Sequence, residues 1–158
     1  MKEIRLNKER VALVDDEDFE WLNQWKWSWK PDRYGGYATR TQLSPVRRLI
    51  SMSRLIMGEP EGLEVDHINQ NKLDNRKENL RICTTLENQR NKNITKYNKT
   101  GFKGVSEYPR YSCYRARINV DGKEHFLGNF KDKESAAREY DKNAKKFFGK
   151  FAVLNFPK

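Results

Sequence analysis

Cysteine and histidine are scarce in this sequence, and long apolar runs are absent from it. Each of these two residue types occurs twice among 158 residues. Cys83 and Cys113 stand 30 residues apart without a second cysteine pair or a histidine cluster, which excludes a cysteine-based zinc site. We expect both to be buried free thiols of a reducing cytosol. No apolar run approaches the roughly 18–20 residues that span a bilayer, and no signal-peptide pattern opens the sequence, so we expect a soluble, intracellular protein without a membrane partner.

Acidic residues are outnumbered, and the imbalance is uneven along the chain. The formal net charge is +10. Residues 1–70 carry 11 basic and 12 acidic side chains, residues 71–98 carry 7 and 3, and residues 99–158 carry 14 and 7. A basic surface alone could reflect solvation, but its restriction to the second half of the chain favours a nucleic-acid partner.

Four polar residues carry the strongest chemical signal: Asp66, His67, Asn79 and Asn88. Asn79 follows His67 by 12 residues, and Asn88 follows Asn79 by 9. A carboxylate, an imidazole and two amides in this order can hold one divalent metal beside a general base.

The surrounding sequence predicts a strand, a loop, a second strand and a helix. Residues 63–65 are expected to form a short strand, which places Asp66 and His67 at its end. The polar segment 69–77 that follows is rich in turn residues. The amides of this segment are interpreted as loop residues that tolerate turn geometry: Asn69, Asn71 and Asn75.

The second strand and the helix follow directly. Residues 80–83 alternate between apolar and polar side chains. Thr84 and Glu87 form a capping box that opens a helix, which places Asn88 on its first turns.

This arrangement, over about residues 45–95, resembles the HNH nuclease core, the ββα-metal finger, in the subgroup whose third letter is Asn. The resemblance implies that His67 is the general base, that Asn79 orients its imidazole, and that Asp66 and Asn88 bind one metal ion. These hard oxygen ligands suit Mg²⁺ (or Mn²⁺) better than Zn²⁺. The implied activity is metal-dependent hydrolysis of DNA phosphodiester bonds. We assign residues 1–95 to this endonuclease domain, with the finger at about 60–95.

Residues 1–58 are predicted to support the finger. Ile4 to Val14 alternates as strands, an amphipathic helix follows the acidic residues 15–18, and residues 49–57 form a strand that runs into a short helix. Pro31 and Gly35-Gly36 interrupt alternating aromatic residues, as in a hairpin. The aromatic residues could stack bases, although a small core is the favoured interpretation: Trp27, Trp29, Tyr34 and Tyr37.

The last sixty residues predict a second domain. A polar segment at 96–100 is the expected linker, and residues 101–158 the domain. Strands are expected at 102–106, 114–120 and 123–130, with a hairpin turn at Asp121-Gly122. Apolar residues recur at helical spacing from Ala136 to Phe148, and Gly149 is expected to end this helix. The whole chain is therefore expected to be of the α+β class, ending in a three-stranded antiparallel sheet packed on one helix.

This second segment resembles the AP-two domain of the APETALA and ethylene-response-factor DNA-binding proteins. The matching stretches begin at Phe102, Tyr114, Phe126, Ser135 and Leu154. The resemblance implies that the sheet enters the major groove of double-stranded DNA. By position it implies five contact residues: Lys103, Tyr114, Arg115, Arg117 and Phe126. Ser106 and Tyr108 fall where the plant domains have arginines, so the target sequence is not carried over.

Two functions remain open. One is a site-recognising endonuclease, of homing or nicking type, similar to phage- and intron-borne enzymes and active in the cytoplasm of a bacterial or phage-infected cell. No obligate protein partner is implied. The other is a DNA-binding transcriptional regulator whose nuclease core no longer functions.

Overall fold

The computed structural model describes residues 1–32, 35–91, 94 and 98–157 and has the predicted α+β composition. Its contacts divide the chain into two compact units, Met1–Thr85 and Leu86–Lys158. This division lies before the linker predicted at 96–100. Two residues of that linker are outside the described ones. The predicted domain bounds therefore remain a prediction. Within the described ranges, no helix combines the length and apolar character that crossing a membrane requires.

The support within the first unit consists of a hairpin, a helix and a three-stranded sheet. Strands β1 and β2 pair antiparallel, and the three later strands pair in the order β3-β4-β5. The elements are β1 (Lys2–Arg5), β2 (Val11–Val14), α1 (Asp16–Asn23), β3 (Ser28–Lys30), β4 (Tyr37–Gln42), β5 (Arg48–Ser51) and α2 (Met52–Ile56). The strands, the helices and the hairpin across Gly35-Gly36 are therefore confirmed.

One apolar cluster holds this support together. Every strand and helix of the support except β3 contributes a buried residue to this cluster. These residues include Ile4, Val14, Leu22, Ile50 and Met52. Trp27 is 4% exposed and donates its indole N–H to the Leu22 carbonyl at 2.9 Å, which satisfies its one polar atom. The core interpretation of the aromatic residues is thus confirmed for Trp27. Tyr34 lies outside the described residues.

The finger follows the support. Strands β6 (Glu64–His67) and β7 (Leu80–Cys83) pair antiparallel, and a short 3-10 turn at Lys77–Asn79 precedes β7. Helix α3 (Thr85–Arg90) begins directly after Thr84. The predicted order of strand, loop, strand and helix is confirmed, and Asp66 and His67 lie at the end of the first strand as expected. This strand covers residues 64–67 rather than 63–65, because both of these residues pair with β7.

The second unit has the predicted sheet and helix. Strands β8 (Val105–Tyr108), β9 (Cys113–Val120) and β10 (Lys123–Phe130) are antiparallel in the order β10-β9-β8, and α4 (Lys133–Phe148) packs on one side of them. Asp121 and Gly122 have φ of 51° and 81°, as a two-residue hairpin turn requires.

Two local predictions for this unit were wrong. The strand expected at 102–106 starts only at Val105, because Gly104 has a φ of +74° and lies against the Tyr140 ring. Cys113 is half-buried rather than buried, since it opens β9 at the end of the sheet, whereas Cys83 is buried as expected.

Candidate active site

Asp66 and His67 lie side by side at the end of β6 and are nearly inaccessible to solvent, with 6% and 8% of their surfaces exposed. Asp66 pairs in register with Arg81 of β7. The Arg81 guanidinium donates from Nε and Nη2 to Asp66 Oδ2 at 2.8 and 2.6 Å. A buried carboxylate needs such a partner because it has lost most of its hydration.

The imidazole of His67 contacts Asn75. The two side chains meet at 3.1 Å between His67 Nε2 and Asn75 Oδ1, and Asn75 is 1% exposed. Burial lowers the pKa of His67 from its usual value, against the opposing effects of the Asn75 hydrogen bond and the Asp66 charge. The ring is therefore neutral near pH 7, which is the state that a general base requires.

Asn79 contacts the loop backbone. Its Oδ1 accepts from the Asn69 N–H at 2.9 Å, and its Nδ2 donates to the Asp74 carbonyl at 2.7 Å. The adjacent Asn75 N–H donates to the Leu13 carbonyl of β2 at 2.8 Å. The loop between β6 and β7 is thus held from both sides.

Asp74 anchors the same loop through its carboxylate, which is 2% exposed. Arg76 donates to its two oxygens from Nε and Nη2, both at 2.8 Å, and the Asn69 amide donates to it at 2.9 Å. The bonds from Arg76 hold the pKa of Asp74 below its usual range. The loop therefore contains a dense network of satisfied buried polar groups, which favours one conformation.

The fourth predicted residue, Asn88, lies on α3 within the second unit. Its predicted role as a metal ligand beside Asp66 therefore stays a prediction. Among the residues that the structure describes, no group of three or more histidine, cysteine, aspartate or glutamate side chains is arranged to hold a metal. The carboxylate of Asp66 is nevertheless the hard oxygen donor that Mg²⁺ prefers, although a cation there would share it with Arg81.

In the second unit, the predicted DNA-contacting residues do not share one face. Arg115, Arg117 and Phe126 point away from α4, since Arg117 pairs with Phe126 in register. Tyr114 packs against the cluster that faces α4, because side chains alternate along a strand. Lys103 precedes β8, donates from Nζ to the Arg90 carbonyl at 2.6 Å, and has a pKa lowered to about 8 by burial.

The outer face is the side of this sheet turned away from α4. Its two arginines have different partners. The Arg115 guanidinium lies 3.8 Å from the centre of the Tyr108 ring and 5.7 Å from that of Phe126. Arg117 donates to both carboxylate oxygens of Glu124, at 3.1 and 3.2 Å, and to the Ser106 hydroxyl at 3.3 Å. One arginine is therefore stacked and the other is ion-paired.

Three contributors to these sites were not among the predicted site residues: Asn75, Arg81 and Glu124. Asn75 was grouped with other loop amides, whose composition carries no sign of which one meets the imidazole. Arg81 and Glu124 could have been found from the hairpin registers, which pair Arg81 with Asp66 and set Glu124 beside Asn119 on the outer face.

Known proteins resemble the finger and its surroundings. Residues 55–90 match the profile of a family described as HNH endonuclease. Over 96 residues, 61% of this chain, the sequence is 38% identical to an uncharacterized HNH endonuclease of Acanthamoeba polyphaga mimivirus, of which the alignment covers 49%. It is 33% identical to Protein 3.8 of Escherichia phage T7 over 75 residues, which are 48% of this chain and 60% of that protein.

The chain spans about half of the first curated relative and about three fifths of the second. The family match nevertheless includes Asp66, His67, Asn79 and Asn88. All four predicted site residues thus lie in the segment that is similar to HNH endonucleases.

Proposed function

We propose that this chain is a DNA endonuclease that hydrolyses phosphodiester bonds with one divalent metal ion and His67 as the general base. The observation that carries the proposal is the buried, neutral imidazole of His67 beside the Asp66 carboxylate, within the segment that matches the HNH endonuclease family. A nuclease needs a base and an anionic metal ligand next to each other, and β6 supplies both.

His67 takes a proton from the water molecule that attacks phosphorus. The bond from phosphorus to the 3′-oxygen breaks, and this oxygen takes up a proton from solvent, which leaves a 5′-phosphate and a 3′-hydroxyl. Asn79 helps to orient His67, because its hydrogen bonds hold the loop against the end of β6.

Asp66 and Asn88 are the residues proposed to hold Mg²⁺ or Mn²⁺. When bound, the cation would stabilise the charge that develops on the scissile phosphate and on the leaving oxygen. Arg81 binds Oδ2 of the Asp66 carboxylate with two hydrogen bonds and so fixes it at the end of β6.

The second unit is proposed to bind duplex DNA as an AP-two-type sheet, through Arg115, Arg117 and Phe126 on its outer face. Phe126 is 60% exposed, which is unusual for a large apolar ring and suits contact with a partner. Tyr114 would act indirectly, by packing behind this face, and Lys103 would act through the turn before β8. Targeting by this sheet would give a homing or nicking enzyme its site.

Replacement of His67 tests the nuclease. His67→Ala should lower the rate of nicking of supercoiled DNA in Mg²⁺ by about 10²–10⁴-fold, the usual contribution of a positioned base. Duplex affinity should stay unchanged, since the basic residues remain. His125→Ala removes the other histidine and is the matched control. Cleavage by His67→Ala at the wild-type rate would falsify the assignment of the base.

One observation favours the alternative, a DNA-binding regulator with a non-functional nuclease core. Arg81 binds Asp66 Oδ2 with two hydrogen bonds, so a cation that approaches this oxygen competes with a guanidinium. If the wild-type protein binds duplex DNA but cuts none at any concentration of Mg²⁺ or Mn²⁺, this alternative is correct and the endonuclease proposal is wrong.

A further inference from the structure

The contact between Asn75 and His67 defines which ring nitrogen carries the proton. Asn75 turns its amide oxygen to His67 Nε2, and its amide nitrogen faces the Leu73 carbonyl at 3.4 Å. Because the oxygen can only accept, the neutral imidazole must donate from Nε2. The basic lone pair is then on Nδ1.

The peptide that carries Asn75 is fixed at both of its polar atoms. Its carbonyl belongs to Asp74 and accepts from Asn79 Nδ2 at 2.7 Å, and its N–H belongs to Asn75 and donates to the Leu13 carbonyl at 2.8 Å. The plane of this peptide is therefore determined by Asn79 on one side and by strand β2 on the other. Two side-chain torsions then remain, and the contacts of the amide group with His67 Nε2 and with the Leu73 carbonyl fix the position of its oxygen.

We propose that Asn75 is a positioning residue for His67: it fixes the tautomer with Nδ1 as the basic nitrogen, and Asn79 together with Leu13 of the support holds Asn75 in place. The inference rests on the proposed function in one respect, namely that His67 is the base. It gives Asn79 an indirect role, through the backbone of the loop. It also gives β2 a role in the active site, because the β2 backbone binds the residue that orients the base.

The tautomer can be measured without any assay of cleavage. In ¹⁵N-labelled protein at pH 8, where the His67 ring is neutral, long-range ¹H–¹⁵N spectra distinguish the Nε2–H form from the Nδ1–H form. We expect the wild-type ring in the Nε2–H form, with an Nε2 proton slow enough in exchange to be observed. His125 provides an internal reference because its environment in the second unit is unchanged.

Three variants separate a positioning role from a merely structural one. Asn75→Ala should speed exchange of the Nε2 proton by at least about tenfold and produce a mixture of tautomers, since the acceptor is gone. Asn75→Asp keeps an acceptor of the same shape and should keep the ring in the Nε2–H form, with its signals shifted by the added charge. Asn71→Ala removes an exposed amide of the same loop and should leave them unchanged.

Kinetics extend the test to the reaction. Asn75→Ala should lower kcat by about 10–100-fold with KM for DNA unchanged, as expected when a residue that orients an active-site histidine is lost. A wild-type ring in the Nδ1–H form, or ring signals that Asn75→Ala does not alter, would overturn the inference. A wild-type protein with the expected tautomer and no nicking activity would instead refute the proposed function and leave the Asn75 assignment supported.

Discussion

At the scale of single residues, the first unit concentrates buried polar groups beside its candidate base. Asp66, His67, Asp74, Asn75 and Asn79 are each at most 8% exposed. Buried polar groups destabilise a fold unless they are satisfied, and an apolar replacement set would pack as well. Their presence at the end of β6 and in the loop that follows it is therefore better explained by a need for fixed orientation than by stability.

A residue-scale prediction concerns Gly104, which precedes β8. A Cβ at this position would overlap the Tyr140 ring and come within 2.7 Å of the Arg117 carbonyl. Gly104→Ala should lower the free energy of unfolding by about 1–2 kcal/mol for the left-handed backbone and by about 1–3 kcal/mol more for the overlap. Denaturant unfolding followed by circular dichroism measures the loss.

Gly101→Ala is the matched control for this prediction. Gly101 has a φ of +76°, close to the +74° of Gly104, but no atom lies within 4 Å of a Cβ built there. It should therefore show the backbone cost alone. Equal losses for the two variants would show that Tyr140 moves aside and that its contact with Gly104 does not constrain the turn.

At the scale of elements, strand alternation in the sheet of the second unit separates the face that packs on α4 from the face proposed to bind DNA. Val105, Ala116 and Ile118 face α4, whereas Ser106, Arg115 and Arg117 face outward. The acidic Glu124 on the outer face reduces its positive charge and binds Arg117. A carboxylate beside an arginine opposes phosphate binding and so limits non-specific affinity.

Replacing that carboxylate should strengthen binding. Glu124→Gln should raise affinity for duplex DNA of unrelated sequence by about two- to fivefold at low salt, because an exposed ion pair contributes at most about 1 kcal/mol. The gain should fade as salt screens the charges. Glu107→Gln, on the other side of the sheet opposite Tyr114, removes the same charge and should have a smaller effect. Equal gains, measured by fluorescence anisotropy, would contradict a specific role for Glu124.

Some of these elements were predictable from local sequence patterns, and others depend on contacts with distant residues. The hairpin of β9 and β10 was predictable because its alternation and its Asp121-Gly122 turn are local properties. The start of β8 was not, since Gly104 adopts its turn against Tyr140, which is 36 residues away in the sequence. In the same way, spacing predicts Asp66 and His67 as site residues, whereas the role proposed for Asn75 depends on a hydrogen bond to β2 that no local pattern encodes.

At the scale of the whole molecule, almost all of the net positive charge belongs to the second unit. Residues 1–85 carry 15 basic and 14 acidic side chains, and residues 86–158 carry 17 and 8. Net charges of +1 and +9 follow for the two units. Since phosphate contacts dominate affinity for DNA, this distribution predicts that most of the proposed DNA binding belongs to the second unit, whereas the proposed base belongs to the first.

Separate fragments test this division. A fragment of residues 86–158 should bind duplex DNA with nearly the salt dependence of the full chain, each phosphate contact contributing about −0.9 to the slope of log K against log salt. A fragment of residues 1–85 should bind weakly and with a shallow slope, because its charges nearly cancel. Circular dichroism should first establish that each fragment is folded. Titrations at several salt concentrations then give both slopes, and a steep slope for residues 1–85 would show that the first unit, despite its balanced charge, makes the phosphate contacts.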